Sequence, residues 1–471
     1  MKCTRRQFFG LAAGAGAFGA AGIGAMAETP ARDAPGLPMP SAAQMAWQDC
    51  EVGLLYTFDL AIAAKRFARN NTVRQRLDPK LYHPTKLDTD QWIEAAKAAG
   101  AKYAVFTATH FNGFLQWQSD LYPYGLKQTA WRGGKGDVVG DFVKSCRKAS
   151  IEPGIYFSTH RNVYWQVWGH YVHWGKGKGT DGQAEFNRVA EKMTEELCSR
   201  YGPLVQIWYD AGVKTPQQGG PDVLPIFEKH QPQSVFYHSG QRSDHRWIGN
   251  EQGRAGYPCW ATMPGRAGAV SHNHPTWKRF LARGDPAGTY WSPGMVDVPL
   301  RGAKGAHNWF WKPDQDHAAY SADRLVKMYC ESVGRNCNLI IGEVVTSDGL
   351  VPACDIERLA EFGNEVRRRF GKPVAQTAGA GGTVELKLPK PKRIDHVVIM
   401  EQIARGERIR RYEVEGLAAG NRWQTLCQGQ SVGHKRIQRF DAVEVAAVRL
   451  KATESVATPQ IRQLAVYDTT G

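Results

Sequence analysis

The sequence predicts an α/β protein, a (β/α)8-type barrel followed by a C-terminal all-β sandwich domain. Three observations predict it. Between about residues 44 and 373, helical and strand patterns alternate strictly, which argues for a parallel sheet with covering helices. Residues capable of chemistry collect where those strands end, as they do around the mouth of a parallel barrel. After about residue 374 the texture changes to short alternating segments split by Gly, Asn and Pro. A chain of 471 residues exceeds one ordinary domain, and the first region has the size of a barrel. The other α/β architecture, a doubly wound sheet, finds no support, because no GxGxxG or Walker A turn follows a strand.

The elements follow in order. "TRRQFFG" places Arg5 and Arg6 before an Ala/Gly-rich apolar stretch that ends in "AMA" at Ala27. This is the layout of an export signal, and the paired arginines make residues 1–27 a twin-arginine-type signal peptide. Residues 28–43, rich in Pro and Ala, read as a linker. In the catalytic region, 44–373, "TDQWIEAAKAAGA" (89–101) has helical apolar spacing with Gly100 as its stop, and "KYAVFTAT" (102–109) reads as a strand. Residues 137–150 are helical and 153–160 a strand; 184–202 are helical and 203–210 a strand. A strand at 233–239, a helix at 323–336 and a strand at 337–342 complete the pattern. Residues 374–471 form the accessory β-sandwich.

Composition narrows the function. The formal charge is +15, or +12 once Lys2, Arg5 and Arg6 leave with the signal. The cations are spread along the chain without a basic run, zinc finger or helix-turn-helix signature, which excludes nucleic acid as the expected partner. Beyond the signal no stretch of 18 apolar residues predicts a membrane span. Eight cysteines remain after Cys3 is removed, without metal-ligand spacing. Twin-arginine substrates fold before export, so mostly free, buried thiols are expected, with Cys330 and Cys337 the pair to inspect for a disulfide. The 15 Trp and 17 Tyr suit carbohydrate as well as apolar cores.

"PLVQIWYDAG" (203–212) frames the chemistry. Leu204, Val205, Ile207, Trp208 and Tyr209 suit a buried strand, but Asp210 does not, because burying an unpaired carboxylate costs several kcal/mol. Other strand ends carry comparable groups: Thr109, His110 and Asn112; Tyr156, Ser158 and His160; His238, Arg246, Asn250 and Glu251; Trp291, Asp297 and Arg301. Each alone has a structural explanation, such as a core histidine or a solvated loop acid. Together they describe acids, imidazoles and indoles around one face. Two acids flanking an aromatic pocket are the usual glycosidase constellation.

At this point the chain resembles the α-L-fucosidases of glycoside hydrolase family 29 over nearly all its mature length. "AKYAVFTATHFNGFLQW" is similar to the family stretch ending in His-His-Asp-Gly-Phe and adds Trp117 to the expected pocket. "YGPLVQIWYDAG" resembles the Trp-Phe-Asp-Gly segment that bears the nucleophile, which implies that role for Asp210. "RWIGNEQG" resembles the Gly-Asn-Glu of the α-1,3/1,4-fucosidase branch, which implies that Glu251 is the acid/base. "GDPAGTYWSPGMVDVPLRG" and "YCESVGRNCNLIIG" also match that branch. The resemblance implies retaining hydrolysis of terminal α-L-fucosyl residues from a fucosylated oligosaccharide or glycoconjugate, with no metal or organic cofactor. It implies sugar binding by Thr57, His110, Asn112, Trp117, Tyr156, His160, Trp208, Trp291, Asp297 and Arg301. Four residues depart from the family pattern. Thr57 stands for a sugar-binding His, Phe111-Asn112 for His-Asp, and Met295 for a Glu two residues before Asp297. Lost polar partners in a sugar pocket change which hydroxyls are recognised. Two alternatives follow: a glycosidase of the same fold acting on a related sugar, or an inactive secreted carbohydrate-binding protein.

Overall fold

The computed structural model describes residues 36–68, 74–174, 181–265, 275–420 and 422–470. The expected signal peptide and residues 28–35, half of the expected linker, lie outside them. Eight strands form one parallel sheet: β1 (Val52–Thr57), β2 (Tyr103–Thr107), β3 (Glu152–Phe157), β4 (Gln206–Val213), β5 (Val235–Ser239), β6 (Arg246–Trp247), β7 (Gly294–Pro299) and β8 (Cys337–Val344). Their spatial order is 5-4-3-2-1-8-7-6, so every neighbour in the sheet is a neighbour in the barrel. The seam between β5 and β6 is closed by Asp244. Its backbone N donates to the Phe236 carbonyl at 3.0 Å, and its Oδ2 accepts from the Phe236 N–H at 2.7 Å. The helices of more than four residues are α1 (Ala42–Cys50), α2 (Thr89–Ala99), α3 (Val138–Lys148), α4 (Asp181–Arg200), α5 (Val223–His230), α6 (Pro275–Leu281), α7 (Ala322–Ser332) and α8 (Ala353–Phe370). The expected stop of α2 is present: Gly100 caps it with a left-handed φ of 73°. No helix separates β5 from β6, a departure from strict alternation.

Residue period two sorts each strand into two faces. Leu54 and Tyr56, Ala104 and Phe106, Ile155 and Phe157, and Ile207 and Tyr209 face the helices in one apolar cluster. Leu55, Tyr103, Val105, Tyr156, Trp208, Val235, Tyr237, Met295 and Ile340 share a second cluster with Trp47 of α1. Helix α1 closes the floor. Trp47 Nε1 donates to Gln206 Oε1 at 2.8 Å, and Asn338 Nδ2 donates to the Trp47 carbonyl at 2.6 Å.

The C-terminal region is an antiparallel sheet of β9 (Ala375–Ala380), β10 (Thr383–Glu401), β11 (Ile409–Ala418), β12 (Arg422–Gly429), β13 (Arg436–Ser455) and β14 (Gln460–Tyr467). Its order is 9-14-10-13-11-12. The long strands β10 and β13 change register between Lys387 and Lys392 and serve both halves of the sheet. Val384 and Leu450 from one half and Ile399 and Leu464 from the other share a single core.

All eight cysteines of the described residues are free thiols, most of them buried. Cys330 and Cys337 are not bonded, and the sulfur nearest Cys337 is that of Cys259, at 3.4 Å. Cys330 lies within α7 while Cys337 opens β8, beyond the turn at Asn336. Among the described residues, no helix is long and apolar enough to cross a membrane.

Candidate active site

The inner face of β4 explains why an acid follows an apolar run. Gln206 binds Trp47 at the floor, Trp208 fills the middle, and Asp210, two residues further on the same face, arrives at the mouth. Ala211 (φ 59°) and Gly212 (φ 76°) then turn the chain in left-handed conformations, a costly one for alanine. A Cβ on Gly212 would stand 2.7 Å from His238 Nε2, so glycine here makes room for that imidazole. Tyr156 Oη donates to Asp210 Oδ2 at 2.6 Å, and Ser158 Oγ donates to the Asp210 carbonyl at 3.2 Å. Burial pushes the Asp210 carboxyl above its ordinary pKa. The Tyr156 hydrogen bond opposes that rise and the charge of Glu251 adds to it.

Glu251 sits in the loop after β6, with its side chain 37% exposed. Trp309 Nε1 donates to its Oε2 at 3.0 Å, and His307 Nε2 lies 2.5 Å from the same oxygen. The Trp309 indole is seated over Gly342 of β8, where a Cβ would come within 2.3 Å of the ring. Asp297, on the inner face of β7, accepts from Trp247 Nε1 at 2.7 Å. Burial raises its carboxyl well above the ordinary range, and the charge of Glu251 raises it further.

These acids stand where two cavities meet. The larger, about 680 Å³, is walled by Thr57, His110, Phe111, Tyr156, Trp309 and Phe310. The smaller, about 530 Å³, is walled by His160, Arg161, His170, Lys214, His238 and Trp247. Trp208, Asp210, Glu251 and Asp297 line both. His110 is stacked on Phe111 with ring centres 4.3 Å apart and meets Phe310 edge-on at 4.9 Å. The Thr57 hydroxyl donates to the Trp309 carbonyl, so Thr57 fixes the loop that carries Trp309. Among the described residues, no cluster of His, Cys, Asp or Glu is arranged to hold a metal ion.

Of the expected site residues, Asp210, Glu251, Thr57, His110, Tyr156, His160, Trp208 and Asp297 therefore converge. Four do not line the cavities. Asn112 is buried and donates to Asp59 Oδ2 at 2.8 Å; with Asp at that position two carboxylates would face each other. Trp117 is buried and donates from Nε1 to Glu196 Oε2 of α4 at 2.8 Å. Trp291 precedes β7 and so lies at the floor end, donating to Gln48 of α1 at 3.1 Å. Arg301 is fully buried, and its guanidinium is taken by Asp355 at 2.8 Å and Asp316 at 2.9 Å. Met295 also lies in the barrel interior, fully buried, below the cavity. Sequence reasoning missed His307, Trp309 and Phe310. Their signal was "GAHNWFWKP" (305–313), a Gly/Pro-bounded loop dense in aromatics directly after a strand.

A crystal structure of a Bacteroides thetaiotaomicron protein named as an α-L-fucosidase candidate is 44% identical, with a TM-score of 0.87 over 92% of this chain and 99% of that one. The Arabidopsis thaliana α-L-fucosidase 1 is 28% identical across 92% of this chain and 88% of its own length. A Ruminococcus gnavus GH29 fucosidase solved with fucose is 21% identical and shares the fold, with a TM-score of 0.76 over 94% of this chain and 97% of its own. Acids on barrel strand ends facing a sugar-sized aromatic cleft define the protein as a glycoside hydrolase. The α-L-fucosidase family profile matches residues 60–369, and the chain belongs to that family.

Proposed function

We propose that the protein is an exo-acting, retaining α-L-fucosidase that removes terminal α-L-fucosyl residues from glycans through a glycosyl-aspartate intermediate. The observation that carries this reading is Asp210, presented at the junction of both cavities with Tyr156 holding one carboxylate oxygen. The larger cavity takes the fucose: Phe111 and Phe310 suit its methyl group, while His110 offers a polar partner to hydroxyls. Asp210 attacks the anomeric carbon as Glu251 protonates the leaving oxygen, and Glu251 then deprotonates the incoming water. His307 and Trp309 hold Glu251 in place for both steps.

A panel of aryl glycosides with proton NMR of the first-formed sugar tests this. The expected result is cleavage of the α-L-fucoside with α-L-fucose appearing before mutarotation. A β-configured first product would overturn retention. Cleavage of a different glycoside alone would favour the same-fold glycosidase, and binding without turnover would favour the inactive lectin-like protein.

The same reading places the enzyme outside the cytoplasm, in the periplasm or medium, delivered by the signal at residues 1–27. Replacing Arg5 and Arg6 together with Lys is expected to leave uncleaved precursor in the cytoplasm. Normal export of that double variant would leave only a general secretory signal.

A further inference from the structure

The smaller cavity differs in chemistry from the larger one. The loop after β3 folds into a three-stranded hairpin, Arg161–Asn162, Val167–Trp168 and Tyr171–Val172. It brings His160, Arg161 and His170 to the cavity wall, and the ends of β4 and β5 add Lys214 and His238. All five side chains are cations or imidazoles. Arg161 is fixed by stacking, its guanidinium carbon 3.9 Å from the centre of the Trp168 ring and 4.9 Å from that of Phe111. Among the described residues, the Lys214 ammonium has no ion-pair partner within 4.0 Å. His170 meets His160 edge-on at 4.6 Å, holds a left-handed φ of 76°, and keeps a buried Nδ1 without a hydrogen bond among the described residues.

Burial pushes the His170 imidazole down to about 3, and the charges of His160, Lys214 and His238 push it further in the same direction. Asp210, Glu251 and Asp297 line the same cavity and are shared with the fucose cavity, and the charge of Arg161 acts to lower the pKa of the Asp210 carboxyl. That leaves the Lys214 ammonium without an ion pair and the buried His170 Nδ1 without a hydrogen bond among the described residues, an arrangement that is unfavourable in the empty protein. A neutral sugar gains little from it, whereas an anion would satisfy it with charge-assisted hydrogen bonds.

We propose that the wall formed by His160, Arg161, His170, Lys214 and His238 binds an anionic substituent, a sulfate ester or a carboxylate, on the sugar to which the scissile fucose is attached. This rests on the α-L-fucosidase reading, because the cavity lies across the acids from the fucose position. The preferred substrates are then fucosylated glycans whose neighbouring sugar is sulfated or acidic.

Titration calorimetry of the whole mature protein with N-acetylglucosamine 6-sulfate, glucuronic acid and N-acetylglucosamine tests the proposal without requiring turnover. One anionic sugar is expected to bind about tenfold tighter than the neutral one. That advantage should shrink as salt rises, collapse in Lys214→Gln and return in Lys214→Arg. Which of the two anionic sugars gains tells sulfate from carboxylate. Equal affinities for all three sugars, or an advantage that Lys214→Gln leaves intact, would overturn it, and the cations would then serve only to balance the catalytic acids. Cleavage of neutral aryl fucosides alongside equal affinities would remove this inference and spare the enzyme activity. Anion-selective binding without cleavage of any fucoside would do the reverse.

Discussion

Replacing Asp210 with asparagine is expected to lower kcat/KM on every α-L-fucoside by roughly 10⁴-fold or more, the scale on which an essential nucleophile is lost. The substitution is conservative for structure: an amide oxygen can still accept from Tyr156 Oη, and Ser158 still reaches the backbone carbonyl. Stability should move the other way. Burial holds the folded-state pKa of Asp210 above its ordinary value, so the folded protein binds this proton more tightly than the unfolded chain. That contribution is complete below the unfolded pKa of about 3.9 and is lost as pH rises through the folded value. At neutral pH, above the unfolded pKa, this buried carboxyl therefore weighs against the fold, and the variant should melt at a higher temperature than the parent. The two melting temperatures should converge in acid. Thermal melts from pH 3.5 to 7.5 beside activity assays check both halves. A variant that loses activity only because it unfolds would show the opposite stability change, and retained turnover would remove Asp210 from the nucleophile's role.

The parts of this site that were legible in the sequence share a physical cause. An apolar run that stops at an acid marks both the strand and its end, so β4 and Asp210 were read together. Period two then places Asp210 on the inner face with Trp208. Strand β6 escaped because two residues carry no periodicity. The polarity of β7 was ambiguous for a related reason. Trp291 and Asp297 sit six positions apart, but one precedes the strand at the floor and the other points into the mouth. Arg301 and Trp117 look like binding residues until their partners appear. Asp355 lies 54 positions from Arg301 and Glu196 lies 79 from Trp117, pairings that no local pattern encodes. Met295 reads as a lost pocket carboxylate but proves to be barrel core, as an unbranched apolar side chain on an inner position should be. Thr57 and Phe111 do reach the cavity, and the altered chemistry of the pocket rests on them.

The second large effect separates Glu251 from Asp297, the two acids that could protonate the leaving group. Glu251 faces the cavity with its side chain partly exposed and with two directional partners, His307 at 2.5 Å and Trp309 at 3.0 Å. Asp297 is buried, and burial together with the charge of Glu251 raises its carboxyl well above the ordinary range, which favours it as a second reading. If Glu251 is the acid, Glu251→Ala should slow substrates with poor leaving groups by roughly 10²–10⁴-fold while sparing activated aryl fucosides. The space left beside His307 should then admit azide, restore part of the rate and yield a fucosyl azide of retained configuration. A second signature comes from charge. Glu251 is one of the groups that hold the Asp210 carboxyl high, so Glu251→Gln should move the acidic limb of kcat/KM to lower pH on an activated aryl fucoside. Asp297→Asn keeps an acceptor for Trp247 and should affect good and poor leaving groups alike. If the leaving-group dependence and azide rescue appear in the Asp297 variant and are absent from the Glu251 variant, Asp297 is the acid. Glu251 would then be the carboxylate whose charge helps to raise the Asp297 pKa.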